Sequence, residues 1–329
     1  MKTGERCFVG IDTSNYTTSC AVCTESGEII ANLKEPLPVR TGECGLRQSD
    51  AVFAHVRNLP TIMARLRDVT EGRDVQAVGC SVRPREAEGS YMPCFLAGRA
   101  AAEAYAAALG VPVIECSHQD GHVMAALYSS GACEELMKAP FAAFHVSGGT
   151  TEMLYVTPNE VGFSVKLIGE TADLNAGQAI DRVGVMMGLD FPCGREMEQL
   201  AAQNQKKLPK PRICVRDGVC NLSGLQNLAE KLWRESNDRA LVSAYVLSFV
   251  AETLAAMTAH LDTQYSHIPV VYAGGVMSNR LIQAHLAKRP NTFFSEPQFS
   301  ADNAAGVALL CRKRFFAEVS LERVVRGDF

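Results

Sequence analysis

The chain has no surplus of positive charge: 32 Lys and Arg stand against 36 Asp and Glu, giving a net charge of -4. A dedicated nucleic-acid binder is normally basic, so contact with RNA must come from a local patch or from a partner. No apolar run approaches the roughly 18 residues of a membrane span. The opening Met1-Lys2-Thr3-Gly4-Glu5-Arg6 offers neither an apolar signal region nor a small-residue cleavage site. The expectation is therefore a soluble, cytoplasmic protein with no membrane partner. Twelve cysteines are scattered without secretory context, which favours reduced thiols acting as small hydrophobes over a disulfide framework. The one CxxC, Cys20 to Cys23, lies in an alternating strand-like run. Residues three apart on a strand point to opposite faces, which argues against a redox or metal pair there.

At 329 residues, 47% of them apolar, the chain is long enough for two lobes with a sizeable core. Its opening reads as a β-meander: Phe8–Val22 as a strand, a small polar turn and a second strand, then a further turn into Ile29–Asn32. A helix follows in which Pro60 is expected to bend or interrupt the chain, then a buried strand at Val75–Val82 and an Ala-rich helix stopped by Gly110. The second half repeats the plan. Phe141–Val146, the turn Ser147-Gly148-Gly149-Thr150, and Thr151–Val156 form a second strand, turn and strand. After several helices, a strand beginning near Ile268 ends at Gly274-Gly275. Two hairpins around Ser/Thr/Gly turns, then a strand ending in Gly-Gly, describe the α/β nucleotide-binding architecture shared by actin, hexokinase and the heat-shock ATPases. In it the turns hold phosphates between the lobes, and glycine lets the chain approach the nucleotide where a Cβ would block it. The expected division is 1–140 and 141–302, with 303–329 packing back on the first lobe.

His118 and His122 follow a strand and precede an apolar run. On a helix starting near Ser117 they would sit at i and i+4, stacked on one face and able to bind one metal ion. A third ligand is required. Asp302 is a candidate because it stands at the start of the last helix, where it could equally be an N-cap.

His118-x-x-x-His122, Val146-Ser147-Gly148-Gly149, Gly169–Asp173 continuing to Asp181, Gly188–Pro192, Leu222-Ser223-Gly224-Leu225, Ala273–Val276 with Asn279-Arg280, and Asp302-Asn303 occur in one order along the chain. In this combination, from about residue 8 to 316, the chain resembles the TsaD (Gcp) family. These are tRNA threonylcarbamoyladenosine transferases, once labelled O-sialoglycoprotein endopeptidases. The resemblance implies that His118, His122 and Asp302 ligate one transition metal, iron or zinc. It further implies that Asp181, Gly194, Gly274, Gly275 and Asn279 hold ATP or an acyl-adenylate, and that Ser147, Gly148 and Gly149 hold its phosphate and acyl group, with Ser147 and Asp181 as catalytic candidates. Partners would be nucleotide and tRNA, the latter through a homo- or hetero-oligomeric complex with TsaB/TsaE-like proteins.

The departures from the family pattern matter as much. Its first turn, Glu-Thr-Ser-Cys-Asp-Glu-Thr, is here Asp12-Thr13-Ser14-Asn15-Tyr16-Thr17-Thr18, so two acids are replaced by Tyr16 and Thr17. Ser-Gly-Gly-His-Thr becomes Ser147–Thr151, and a Gly-Pro-Gly stretch becomes Arg83–Tyr91. Arg83 and Arg85 carry guanidinium forks that suit anions. A diverged paralogue with an altered, anionic acyl donor or acceptor is the expectation; the alternative for the arginines is pairing with Glu86 and Glu88. The cluster Lys206, Lys207, Lys210 and Arg212 reads as solvated surface. Two other function classes remain, a catalytically silent nucleotide-binding scaffold subunit and a metallopeptidase. The metal ligands argue against the first, and the second lacks His-Glu-x-x-His, since Gln119-Asp120-Gly121 separates the histidines.

Overall fold

A computed structural model describes residues 4–14, 16–38 and 46–326, with side chains up to residue 318. Asn15 of the first turn, Cys44 and residues 327–329 lie outside the described residues. The chain divides into two compact units. The first runs to Tyr128 and adds Pro158–Ser164 and everything from Asp302; the second is Ser129–Thr157 with Val165–Ala301. Residues 129–140, 158–164 and Asp302 thus fall on the other side of the border from the sequence expectation.

In the first unit, β1 (Arg6–Thr13), β2 (Thr17–Thr24) and β3 (Ile29–Pro36) form the meander. The 23-residue helix α1 (Gln48–Thr70), β4 (Asp74–Arg83), α2 (Phe95–Leu109), β5 (Val113–Ser117) and α3 (His118–Ser129) follow. The sheet order is β3-β2-β1-β4-β5, antiparallel through the meander and parallel from β1 to β5. Both faces are covered, which is why β1 and β2 read as nearly continuous buried runs instead of alternating ones. On one face Val9, Ile11, Cys20 and Val22 share a core with Ile62 and Leu66 of α1 and Ala102 and Ala106 of α2. On the other lies the last helix, Ala305–Arg326, at a crossing made possible by Gly10: a Cβ there would stand 2.4 Å from the Ala308 nitrogen. Cys20 belongs to the first face, while the Cys23 thiol meets the Ala308 carbonyl at 3.5 Å on the second. Burial pushes both thiols up to about 12, so neither is a reactive thiolate.

The second unit contains α4 (Cys133–Leu136), β6 (Phe141–Val146), β7 (Thr151–Asn159), β8 (Gly162–Glu170), α5 (Ala176–Met186), α6 (Gly194–Ala201) and a small hairpin of β9 (Cys214–Arg216) and β10 (Val219–Asn221). Then come α7 (Ser223–Ser236), α8 (Arg239–Tyr265), β11 (Val270–Ala273), a short 3-10 turn (Gly275–Ser278), α9 (Arg280–Leu286), β12 (Thr292–Phe294) and α10 (Pro297–Ser300). Its sheet runs β12-β11-β6-β7-β8, with β6 antiparallel to β7 and parallel to β11, so it repeats the strand order of the first.

Three local expectations are corrected. Helix α1 continues through Pro60, because buried residues anchor it on both sides of the proline: Ala51 and Ala54 against Leu37, Cys94 and Phe95, and Ile62 and Leu66 against the sheet. Helix α8 is by length and composition apolar enough to cross a membrane, contrary to the reading of the sequence, but most of its apolar stretch is buried, with its Val242, Val246, Phe249, Leu254 and Met257 in the unit's core. The last helix begins at Ala305, whose N–H is accepted by the Asn303 side chain at 3.0 Å; Asp302 is therefore not its cap.

Candidate metal and nucleotide sites

Helix α3 starts directly after β5, and the Ser117 hydroxyl accepts the Asp120 N–H at 3.1 Å, satisfying one orphan donor of the first turn. The Gln119 N–H is taken by the Pro84 carbonyl at 3.0 Å, which ties the Arg83–Tyr91 segment to this turn. The helical period then brings His118 and His122 onto one face, with their Nε2 atoms 2.9 Å apart. Asp302 arrives from the segment before the last helix. Its Oδ1 lies 3.3 Å from His122 Nε2 and 3.7 Å from His118 Nε2. This approach depends on Gly306, where a Cβ would stand 1.8 Å from the Gly121 carbonyl oxygen.

The three ligand atoms lie within 4.8 Å of one another, and the set is half-buried. Two imidazole nitrogens and a carboxylate facing one point at these distances suit a borderline divalent ion such as zinc or iron. A further sign of fit is the fully buried Asp12, whose Oδ2 has no hydrogen-bond partner among the described residues. Such an atom is costly unless positive charge lies nearby. Burial works against the charge on Asp302, but hydrogen bonds from His122 and Ser14 and the charge of His118 hold its carboxyl well below the usual range. His118 shows the converse: burial lowers it, yet Asp12 and Asp302 raise it to about 9.

Sequence reasoning missed the groups behind the ligands. Asp12 Oδ1 lies 2.9 Å from His118 Nδ1 and also accepts the Ser81 hydroxyl. Ser14 donates to Asp302 Oδ2 at 3.0 Å. The Ser14 carbonyl is in turn bonded to the buried His55 Nε2 at 2.7 Å, while His55 Nδ1 meets Thr18 Oγ1 at 2.8 Å. An acid at the end of a buried strand was the one available signal, and it concerned Asp12 alone.

In the second unit the Ser147–Thr150 turn joins β6 to β7. The Ser147 hydroxyl oxygen accepts the N–H groups of Gly149 and Thr150 at 3.2 and 3.1 Å, leaving its own O–H to donate elsewhere. Space beside Gly148 and Gly149 is open, since a Cβ at either would meet nothing within 4 Å. Gly177 at the start of α5 lies against this turn, its N–H donating to the Ser147 carbonyl at 3.1 Å. Asp181, one turn on, accepts the Cys193 N–H at 2.8 Å beside Gly194, and burial raises its carboxyl. Gly274 has φ of 103°, and a Cβ there would stand 2.2 Å from the Val146 carbonyl oxygen; Gly275 next to it is open. Asn279 caps α9, its oxygen accepting from Leu281 and Ile282 at 3.1 Å, so its amide N–H groups are what it can offer a ligand. Ser147, Gly148 and Gly274 thus surround the β6 end, while Asp181 and Gly194 form an adjoining edge. Two other quoted motifs also meet here: the Asp173 carboxylate accepts the N–H groups of Leu222 at 2.7 Å and Ser223 at 3.2 Å.

Of the residues offered for substrate, Arg83 has its Nε 3.1 Å from Glu86, Arg85 donates its backbone N–H to Ser90 at 3.1 Å, and Tyr16 is 42% exposed. The Arg83–Glu86 pair is the contact that the alternative reading of the arginines expected, and it lies partly in solvent, where such pairs contribute little. Lys206 of the basic cluster pairs with Asp238 at 2.7 Å.

The fold is that of the actin, hexokinase and heat-shock-ATPase class. HypF, solved in a phosphate- and nucleotide-bound form, aligns with a TM-score of 0.57 at 12% identity, over 96% of this chain and 46% of that one, so the chain spans about half of HypF. The activator of the 2-hydroxyisocaproyl-CoA dehydratase from Clostridium difficile, with bound ADPNP, aligns with a TM-score of 0.52 at 15% identity, over 96% and 97% of the two chains. Within this class the sequence is more specific. A family profile described as TsaD, tRNA N6-adenosine threonylcarbamoyltransferase, matches residues 43–309. The tRNA N6-adenosine threonylcarbamoyltransferase of Streptococcus suis (strain 05ZYH33) is 31% identical over 319 residues, 93% of this chain and 91% of that protein. The chain belongs to the TsaD family of acyltransferases.

Proposed function

We propose that the protein transfers a threonylcarbamoyl or related carbamoyl group to adenosine of tRNA, as its relatives are named for doing, using a nucleotide-activated donor. The observation that carries this reading is the convergence of His118, His122 and Asp302 in a chain of this family. His118, His122 and Asp302 would hold a divalent ion, which would supply Lewis-acid polarisation of a substrate oxygen. The remaining work falls to the chain itself. The Ser147 O–H donates to a phosphate or acyl oxygen, and the open backbone at Gly148, Gly149 and Gly275 admits the donor without a Cβ in the way. Asp181 accepts from ribose hydroxyls, as acidic residues do in other nucleotide sites, and Gly194 and Asn279 complete the cradle. The reaction would proceed in the cytoplasm with TsaB/TsaE-like partner proteins.

A second reading, an acyl donor or acceptor that carries an anionic group, is supported by a different observation. Two acids of the family's first turn are Tyr16 and Thr17 here, and Lys34 lies close enough to Asp302 to feel its charge.

The test is complementation of a strain depleted of its own TsaD, beside transfer to tRNA in vitro with the partner proteins. Rescue by the wild type, and none by the His118→Ala/His122→Ala variant, is the expected result. Absence of both rescue and transfer with the wild type would refute threonylcarbamoyl transfer; full rescue would refute the anionic-substrate reading.

A further inference from the structure

A carboxylate has no proton to give, so the 2.9 Å contact between Asp12 Oδ1 and His118 Nδ1 requires the hydrogen to sit on Nδ1. Nε2, the nitrogen facing His122 and Asp302, is then the atom left to coordinate. The Ser81 hydroxyl donates to the same Asp12 oxygen and fixes the carboxylate's own rotation. Asp12 itself stays outside the cluster of converging ligand atoms, which comprises His118, His122 and Asp302. Its second oxygen is buried and has no hydrogen-bond partner among the described residues, which is costly for a carboxylate unless positive charge lies nearby.

We propose that Asp12 is the positioning residue of this cation site: it locks the His118 ring so that Nε2 is the coordinating nitrogen, and its buried negative charge strengthens that nitrogen as a ligand. Carboxylate–histidine–metal arrangements of this kind hold the imidazole and raise its basicity. The proposal rests on reading His118, His122 and Asp302 as a cation site.

Two measurements on the full-length protein test it separately from that reading. In metal-free protein, proton NMR should show a downfield, slowly exchanging imidazole N–H from His118 that disappears in Asp12→Ala. Zinc titration against a chromophoric chelator should give one site in the wild type, weakened about 10- to 100-fold in both Asp12→Asn and Asp12→Ala. Asp12→Asn preserves the shape of the buried side chain, and Ser81→Ala, which only loosens the carboxylate, should weaken zinc less. Wild-type zinc affinity in Asp12→Asn and Asp12→Ala, or a protected His118 proton surviving in Asp12→Ala, would overturn the role of Asp12. A wild type that binds no zinc would instead overturn the cation site itself.

Discussion

Replacing Gly306 by Ala probes how the site is assembled. Gly306 lies in the first turn of the last helix, four residues beyond Asp302, and crosses α3 at Gly121, between His118 and His122. A methyl group at Gly306 would sit 1.8 Å from the Gly121 carbonyl oxygen and 2.8 Å from the Ala125 nitrogen. Both are backbone atoms, so no side chain can turn away. Restoring an ordinary contact near ~3.5 Å requires the helices to part by about 1.5 Å. Metal–ligand distances tolerate about 0.2 Å, so Asp302 is carried out of reach of an ion held by the two histidines. Overpacking costs about 1–3 kcal/mol, of which the better helix propensity of Ala returns less than about 1. The expectation is a loss of about 2 kcal/mol in denaturant unfolding of the metal-free protein, with zinc affinity weakened more than ~10-fold in chelator competition. Gly121→Ala is the control. Its methyl would meet Val307 Cγ2 at 3.1 Å, a side chain that can give way, so stability should change by less than about 1 kcal/mol. Zinc affinity unchanged in Gly306→Ala would refute the claim that this backbone crossing sets the ligand geometry.

Two further outcomes concern pH. Burial lowers the pKa of His55 and keeps it neutral, whereas an unfolded His accepts a proton near pH ~6.5; the unfolded state therefore binds more protons as pH falls, and stability drops from about pH 7 to 5. That slope, measured by urea unfolding, should flatten in His55→Gln, and equal slopes in variant and wild type would contradict a buried neutral His55. The Asp173 carboxyl is pushed up by burial but held well below its ordinary range by the Ser223 hydroxyl and the Leu222, Leu174 and Ser223 N–H groups. Its contribution is present above about pH 4 and lost as pH falls further; because the carboxylate is exposed and screened by solvent, Asp173→Ala should cost no more than about 1 kcal/mol at pH 7 and less at pH 3. A deficit that does not shrink at low pH would show that the carboxylate's charge plays no part.

Much of the architecture was legible because it is written in local periods. Apolar runs around Ser/Thr/Gly turns marked both hairpins, Gly110 marked the end of α2 with its left-handed φ of 70°, and the i, i+4 spacing of His118 and His122 put two ligands on one face. Where local signals misled, packing had outweighed propensity. Pro60 is carried inside α1 by the buried residues on either side of it, and α8 has the composition of a membrane span because it is wrapped by its unit's core.

Family resemblance supplied Asp302 as a ligand, but its local reading as a helix cap was wrong, since Asn303 caps the helix and frees the Asp302 carboxylate for the histidines. The layer behind the ligands had no sequence signature at all. Asp12, Ser14, His55 and Ser81 come from different strands, a turn and a helix, separated by up to 69 positions for the Asp12–Ser81 pair alone. What the sequence by itself determined was the type of each element and the residues it presents on one face, because these depend on neighbours within a turn or two of chain. Which acid meets which histidine was decided only when β1 paired with β4, β4 with β5, and the last helix settled on α3 at Gly121 and Gly306, since those contacts depend on register and crossing distance between segments far apart in the chain.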